Sequence, residues 1–343
     1  MKQVKLFFVT VSLALCFVLT NSCSQTSRNA TLDSAFRVIG YKWEQVLPFG
    51  NGSFPEEWKP GTFPLGIRPI IAFNGNLWMI GQKSAWSSTD GINWTRQSKD
   101  DWGERIYTEL TYYHNKLWMF GGLKYKEKQF LNDLWFSGDG KNWERSGNAA
   151  WQPRGGHSII VFKNKLWLFG GATEVLPDRT PNKFLNDVWS SEDGIHWTEE
   201  INVSPWGPRD YPKVLAFRDT LYMLGGQGQA DVWRSADCKN WSQLTAEAEW
   251  QKRYDNGALV FDNKMWIFGG RDTSTNHTTA AKNDVWFSDN GFAWNKQTEH
   301  ALWTVRSGAT SIVFKNKLWI FSGKHTGGKY SWGGDIWTMS IDK

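Results

Sequence analysis

One short pattern recurs six times along this chain and leaves few ways for it to fold. Asn76-Leu77-Trp78-Met79-Ile80-Gly81 returns as Lys116-Leu117-Trp118-Met119-Phe120-Gly121-Gly122, then at 166–171, 221–226, 265–270 and 318–323. After a variable stretch comes an Asp-apolar-Trp run: Asp133-Leu134-Trp135, Asp187-Val188-Trp189, Asp231-Val232-Trp233, Asp284-Val285-Trp286 and Asp335-Ile336-Trp337. The first unit has Ala85-Trp86-Ser87 in this place. A turn of the form Asp-Gly-x-x-Trp then follows, at Asp90-Gly91, Asp139-Gly140, Asp193-Gly194, Asp237-Cys238 and Asn290-Gly291, ending in Trp94, Trp143, Trp197, Trp241 and Trp294. The anchor aromatics Trp78, Trp118, Trp167, Tyr222, Trp266 and Trp319 stand 40 to 55 residues apart. A period of this size marks a modular array whose units bury their apolar faces against one another.

Each unit reads as four short strands. Strand a is the apolar run before the repeat, as in Ser158-Ile159-Ile160-Val161-Phe162. The turn Lys163-Asn164-Lys165 leads to strand b at 166–169; strand c carries the Asp-apolar-Trp run; the Asp-Gly turn leads to strand d at Trp197-Thr198. Asp-Gly suits a tight hairpin because glycine accepts a positive φ. The paired glycines after strand b allow neighbouring backbones to approach. Six four-stranded units without a helix signal predict an all-β fold, a six-bladed β-propeller. The sixth unit stops six residues after Trp337, with no strand d. Its counterpart stands at the other end, Tyr41-Lys42-Trp43-Glu44-Gln45-Val46, so an N-terminal strand is expected to close the ring and remove its open edges.

The strand-b aromatic followed by Gly-Gly, the downstream Trp of strand d and an Arg opening each unit resemble the kelch repeat family. The resemblance covers residues 38–343. It implies a kelch-type propeller, a frame used both for binding and for catalysis, so function must be argued from the site. The Ser88-Thr89-Asp90-Gly91-Ile92-Asn93-Trp94 turn also looks like a sialidase Asp-box, but it has one residue fewer between Asp and Trp and needs only a hairpin to explain it.

The N-terminus reads as an export signal. Lys2 and Lys5 precede an apolar run at 6–19, too short for a comfortable membrane span, and then Thr20-Asn21-Ser22-Cys23. Residues 1–22 are expected to be the signal peptide and 23–37 a tether. Cys23 resembles a bacterial lipoprotein site, although Thr20 replaces the usual Leu. The expected location is the outer membrane or a periplasm-facing surface, or else the medium, with membrane attachment only through the lipid. Cys16 leaves with the leader, so Cys238 is the one remaining free thiol, which excludes an internal disulfide and a Cys-rich zinc site. Formal net charge is +5, and losing Lys2 and Lys5 leaves +3, too mild to argue for nucleic acid.

In an up-and-down blade the a–b and c–d turns share one face, and here they are short, uniform and charged. The b–c loops (123–132, 172–186, 271–283, 324–334) and the d–a connections share the other and vary, which marks the ligand face. The connections carry a second repeat, Trp102…Arg105, Trp151…Arg154, Trp206…Arg209, Trp250…Arg253 and Trp303…Arg306, with Arg68 and Trp58 in the first unit. The tryptophans suit packing between blades. The six arginines, at the start of the innermost strands, are expected either to ring the channel mouth as a ligand-binding set for carboxylate or phosphate, or to pair with acids and carbonyls of the scaffold. Of the chain's 24 Trp, Trp332 alone stands outside these repeats, and with His325 and Tyr330 it forms a second ligand-binding candidate, in a loop able to stack on a sugar.

Catalytic candidates on this face are Glu109 and His157, both close after their repeat Arg on strand a, with Asp210, Asp255 and Glu174 behind them. Resemblance to galactose oxidase propellers would require a copper site; the six histidines show no close ligand pairing, and no metal or cofactor is expected. Resemblance to the sialic-acid mutarotase type would require a general acid or base and an Arg for the sugar carboxylate. The leading expectation is a noncatalytic propeller binding a carbohydrate or anionic small molecule; the alternatives are a sugar mutarotase or epimerase and a protein–protein scaffold.

Overall fold

A computed structural model describes residues 40–48, 69–80, 84–99, 102–175, 181–272, 281–325, 331–332 and 334–342. Every regular element among them is a strand. Blade 1 runs Ile70–Phe73, Asn76–Ile80, Ser84–Ser88, Thr95–Lys99; blade 2 runs Glu109–Tyr113, Lys116–Lys124, Gln129–Ser137, Glu144–Asn148. Blade 3 comprises Ser158–Phe162, Lys165–Val175, Pro181–Ser191 and Thr198–Ile201; blade 4 comprises Lys213–Phe217, Thr220–Gly226, Gln229–Ser235 and Ser242–Thr245. Blade 5 is Gly257–Phe261, Lys264–Phe268, Val285–Ser288 and Asn295–Thr298. Blade 6 takes Thr310–Phe314, Lys317–Phe321 and Ile336–Asp342 from the C-terminus, and Gly40–Leu47 pairs on its outside as the fourth strand.

Each inner strand neighbours the inner strands of the blades on either side, and the circuit closes between blades 6 and 1. The fold is therefore a six-bladed propeller closed by its N-terminal strand. Trp94 of blade 1 meets Phe321 of blade 6 edge-on at 6.1 Å across that seam. The connection tryptophans 102, 151, 206, 250 and 303 are all buried between blades. The Asp-Gly turns are packing devices as well as hairpins: a Cβ on Gly140 would lie 2.6 Å from the Trp78 ring of the preceding blade. In the first of these turns Asp90 Oδ1 accepts from the amides of Ile92 and Asn93, both at 2.8 Å, which accounts for the Asp-box resemblance by local capping.

Two b–c stretches expected to be loops are largely hairpin. In blade 2 the ladder continues past a bulge at Gly121-Gly122 to Lys124↔Gln129, and in blade 3 to Val175↔Pro181. Buried Leu123, Phe130 and Ala172 prolong the apolar pattern and explain the extension.

The repeat arginines are scaffold, which corrects their reading as a ligand-binding ring. Arg105, Arg154, Arg209, Arg253 and Arg306 are at most 6% exposed. Each makes a two-pronged pair with the Asp of its own blade's Asp-apolar-Trp run: Asp133, Asp187, Asp231, Asp284 and Asp335, at 2.6–2.9 Å. The same Asp accepts the indole N–H two residues on, as Trp189 donates to Asp187 at 2.8 Å. Each guanidinium also donates to a carbonyl of strand b or of the residue that follows it: Gly121, Gly170, Gly225, Gly269 or Ser322. Their donors are spent inside the protein. Arg68 lies outside the described residues; in sequence it stands five residues before Phe73, whereas the other five stand eight before Tyr113, Phe162, Phe217, Phe261 and Phe314. Blade 1 also has Ser84 in place of the Asp, and Trp86 Nε1 is accordingly buried without a hydrogen-bond partner among the described residues.

Removing one partner of such a pair strands the other in the interior. Arg154→Ala is expected to cost about 3–5 kcal/mol in denaturant unfolding. Adding Asp187→Ala should cost much less than a second independent loss, and strictly additive losses would count against the pairing.

Candidate functional site

With the arginines locked, the chemistry of the face that carries the variable connections falls to residues just after them. The second residue past each Arg (Tyr107, Gly156, Tyr211, Asp255, Gly308) has a positive φ, between 50° and 66°. This left-handed step turns each connection into its inner strand. It also exposes backbone groups that join one blade to another: Gly156 N donates to Tyr107 O at 3.0 Å, Tyr211 N to Gly156 O at 2.6 Å and Gly308 N to Asp255 O at 2.8 Å. The result is a collar at the channel mouth.

The collar carries an aromatic and acidic cluster. Tyr107 and Tyr211 meet edge-on at 5.5 Å, and Tyr211 packs on Tyr254 at 6.4 Å. The Tyr254 hydroxyl lies 2.7 Å from both oxygens of the fully buried Asp210 and donates to that carboxyl. Burial raises the Asp210 carboxyl to about 7, against the Tyr254 hydrogen bond and with the help of neighbouring Asp255. Burial also raises Asp255, opposed by Arg271, Lys213 and Lys324. Arg271 Nε lies 3.6 Å from Asp255 Oδ2, and its guanidinium sits 4.8 Å above the Tyr254 ring. It is supplied by the b–c segment of blade 5, where Arg271–Asp272 pairs with Arg253–Tyr254. Burial lifts the Tyr107 phenol to about 12, so it stays protonated.

Two residues further along the inner strands, Glu109 and Lys213 face the channel. Burial raises Glu109 to about 7, and Lys213 only partly offsets it. Burial lowers Lys213, against the pull of Glu109, Asp255 and Asp210. Both side chains are enclosed by protein yet remain partly open to the channel. The arrangement combines carboxyls that hold protons near neutral pH, phenols that donate, and cations that attract an anion.

The remaining sequence candidates divide. His157 is 1% exposed, packs against Trp151 at 5.7 Å, and neither ring nitrogen has a hydrogen-bond partner among the described residues. Sealed in this way it is not placed to touch a ligand, which corrects its candidacy for catalysis. Glu174 is exposed and pairs with Lys183 at 3.3 Å, away from the cluster. His325 Nδ1 lies 3.1 Å from Thr304 Oγ1, and Nε2 lies 3.6 Å from Asp335 Oδ1. Its neighbour Lys324 acts on Asp255, so this hairpin borders the mouth. Lys324 and His325 pair in register with Trp332 and Ser331. Tyr330 and Cys23 lie outside the described residues. Tyr107, Lys213, Tyr254 and Arg271 were not singled out from sequence; their offset from the repeat Arg was the available signal for the first three. No group of three or more His, Cys, Asp or Glu among the described residues is arranged to hold a metal ion.

A separate groove of about 570 Å³ on blade 2 is lined by Trp102, Lys124, Gln129, Trp135 and Arg145, among others. Its floor is the satisfied Arg105–Asp133 pair, and none of the mouth carboxyls reaches it.

This face belongs to a propeller, and comparison with known proteins agrees. A family model described as "DUF6242 beta propeller domain" matches residues 137–256. A solved propeller titled "Structure of YjhT" is similar over 82% of this chain and 98% of its own, with a TM-score of 0.67 and 15% sequence identity, a likeness of fold. No curated protein matches.

Burial lowers the His157 imidazole from an ordinary 6.5 to about 3, with Arg154 adding to the effect. The unfolded chain takes up this proton below 6.5 and the folded one does not, so stability contributed above 6.5 is lost as pH falls toward 3. A folded His157→Leu variant should show a flatter melting temperature between pH 6.5 and 4 than the unaltered protein. Equal slopes would assign the acid loss elsewhere.

Proposed function

We propose that this chain is a kelch-type propeller exported to the bacterial cell envelope, where its channel mouth binds a small acidic carbohydrate or a related hydroxylated anion. Residues 1–22 serve as the signal and Cys23 carries a lipid. The observation that carries the binding reading is the partly exposed Asp255–Arg271 pair beside the Tyr254 ring, set over the sealed Asp210 carboxyl that fixes the Tyr254 hydroxyl. A solvent-facing mouth of this composition suits a ligand with both hydroxyls and negative charge: carboxyls accept from hydroxyls, and charged donors meet the anion. The rigid collar beneath it limits reorganisation on binding.

A second reading, sugar mutarotation or epimerisation of the sialic-acid mutarotase type, is favoured by one specific feature. A carboxyl near 7 is matched to proton transfer at physiological pH, and the partly exposed Glu109 has that property. The long b–c hairpins of blades 2 and 3 offer a protein partner a surface, but nothing in them is shaped around a particular one.

The leaderless protein is expected to be stabilised in a thermal-shift screen by at least one of the sialic or uronic acids and not by the matching neutral sugars. Arg271→Ala should weaken that binding roughly 10- to 100-fold. Anion binding should also weaken as pH rises through about 7, because Asp210 then loses its proton and repels the ligand. Loss of anomer exchange by two orders of magnitude or more in Glu109→Gln, followed by NMR, would mark the enzyme reading. Binding without accelerated exchange would leave the protein a receptor.

A further inference from the structure

The first residues of the inner strands form one rung around the channel. By their pairing with strand b, Glu109, Ser158, Lys213, Gly257 and Thr310 are equivalent, opposite Phe120, Phe169, Leu224, Phe268 and Phe321. Pro69 takes the place in blade 1, four residues before Phe73 as Glu109 is before Tyr113. Only two of the six are charged, and they are of opposite sign. Blade 3 separates them, and there the rung carries the small Ser158.

Glu109 and Lys213 act on one another electrostatically, yet they form no ion pair within 4 Å and neither has a hydrogen-bond partner among the described residues. Opposite charges in one partly shielded channel ordinarily close on each other. Here they stand on separate blades, 2 and 4, and both are partly exposed. The other cations nearby are committed: five repeat arginines to their Asp partners, and Arg271 to Asp255 and the Tyr254 ring. Lys324 acts on Asp255 at the mouth, and on the rung itself Lys213 is the one cation.

We propose that the anionic group of the ligand descends past the mouth and is held inside the channel between Lys213 and Glu109, while its hydroxylated part stays at Tyr254 and Asp255. This rests on the binding reading above and deepens it. Lys213 and Asp255 act on one another electrostatically, which brings the two subsites within reach of one monosaccharide acid. Lys213 donates from its ammonium; Glu109, which keeps its proton up to about pH 7, donates from its carboxyl O–H. The groups facing Lys213 are Glu109, Asp210 and Asp255, while Lys213 faces Glu109. Blades 3, 5 and 6 place uncharged Ser158, Gly257 and Thr310 on the rung. Above about pH 7 Glu109 ionises and repels the bound anion, so this group alone weakens binding up to tenfold per pH unit.

The test is calorimetry on the leaderless full propeller with D-glucuronate, D-galacturonate and N-acetylneuraminate, and with methyl β-D-glucoside as the neutral control, at pH 6.0 and 8.5. An acid that binds the unaltered protein should bind Lys213→Met roughly 10- to 100-fold more weakly, with Lys213→Arg partly restored. Glu109→Gln, whose amide donates at any pH, should bind at pH 6.0 and lose much less on going to 8.5. Melting temperatures near the unaltered value verify the folding of each variant. Lys213→Met binding like the unaltered protein, or an undiminished pH decline in Glu109→Gln, overturns the proposal. If Arg271→Ala nevertheless loses binding, the mouth reading survives it. If no acid binds the unaltered protein, both fall.

Discussion

The structure depends on an arginine that belongs to two blades at once. At the junction of blades 2 and 3, the Arg154 amide donates to Leu131 O and its carbonyl accepts from Gly122 N, so its backbone is part of blade 2. Its guanidinium is bonded to Asp187 and Gly170 O, within blade 3. Arg209 and Arg306 repeat this at their own junctions, through Leu185 and Gly171, and through Lys282 and Gly270. The glycines are required by that closeness: a Cβ on Gly121 would lie 2.8 Å from the Arg154 carbonyl oxygen. Charge, backbone pairing and glycine spacing are thus one device. A buried ion pair is weak evidence of net stability but strong evidence of a fixed geometry, because breaking it leaves an unpaired charge. Blade 1 shows the logic by exception, since Ser84 replaces the Asp and no Arg stands at the matching spacing.

What repeats holds the ring together, and what does not repeat makes the site. The scaffold consumes the Arg, the Asp, and the indole N–H of the Asp-apolar-Trp tryptophan in five blades. Positions one to four residues after the Arg share a backbone path but not a residue type: Asp210, Tyr211 and Lys213 in blade 4, Tyr254 and Asp255 in blade 5, Tyr107 and Glu109 in blade 2. The left-handed step at the second position delivers whichever side chains occupy these places to the mouth. One frame can therefore present different chemistry without altering its packing.

Much of the fold was legible in the sequence because it is written six times. The tryptophan anchors, the hairpin turns and the missing last strand together required a closed ring, and the two faces followed from the alternation of connections. The arginines were ambiguous because a repeated charge near a channel has two uses, and their partners lie 22 to 33 residues away in a different strand. The Asp-apolar-Trp run held the answer, since a carboxylate repeated in step with an Arg is its natural partner. His157 misled for a related reason: nearness to the Arg in sequence said nothing of the cover that Trp151 provides. The blade 2 and 3 hairpins were hidden by polar residues at their tips, while Leu123, Phe130 and Ala172 carry the apolar pattern onward. Glu109 and Lys213 are joined only by the ring, which brings residues of separate blades to one rung.

The electrostatics of the mouth follow from enclosure more than from residue count. Glu109, Asp210 and Asp255 balance Lys213, Arg271 and Lys324 in formal charge, so a tally of charges suggests a neutral patch. Burial disfavours ionisation, and all three carboxyls are raised, two of them to about 7. Lys213 is lowered by the same burial, but three carboxyls oppose the change. Near neutral pH the carboxyls therefore yield part of their charge, and the mouth is less negative than the sequence reads. An anion entering it meets donors on both sides, and its own charge strengthens the hold of the carboxyls on their protons. Binding and protonation reinforce one another, which ties the affinity of such a site to the acidity of its surroundings.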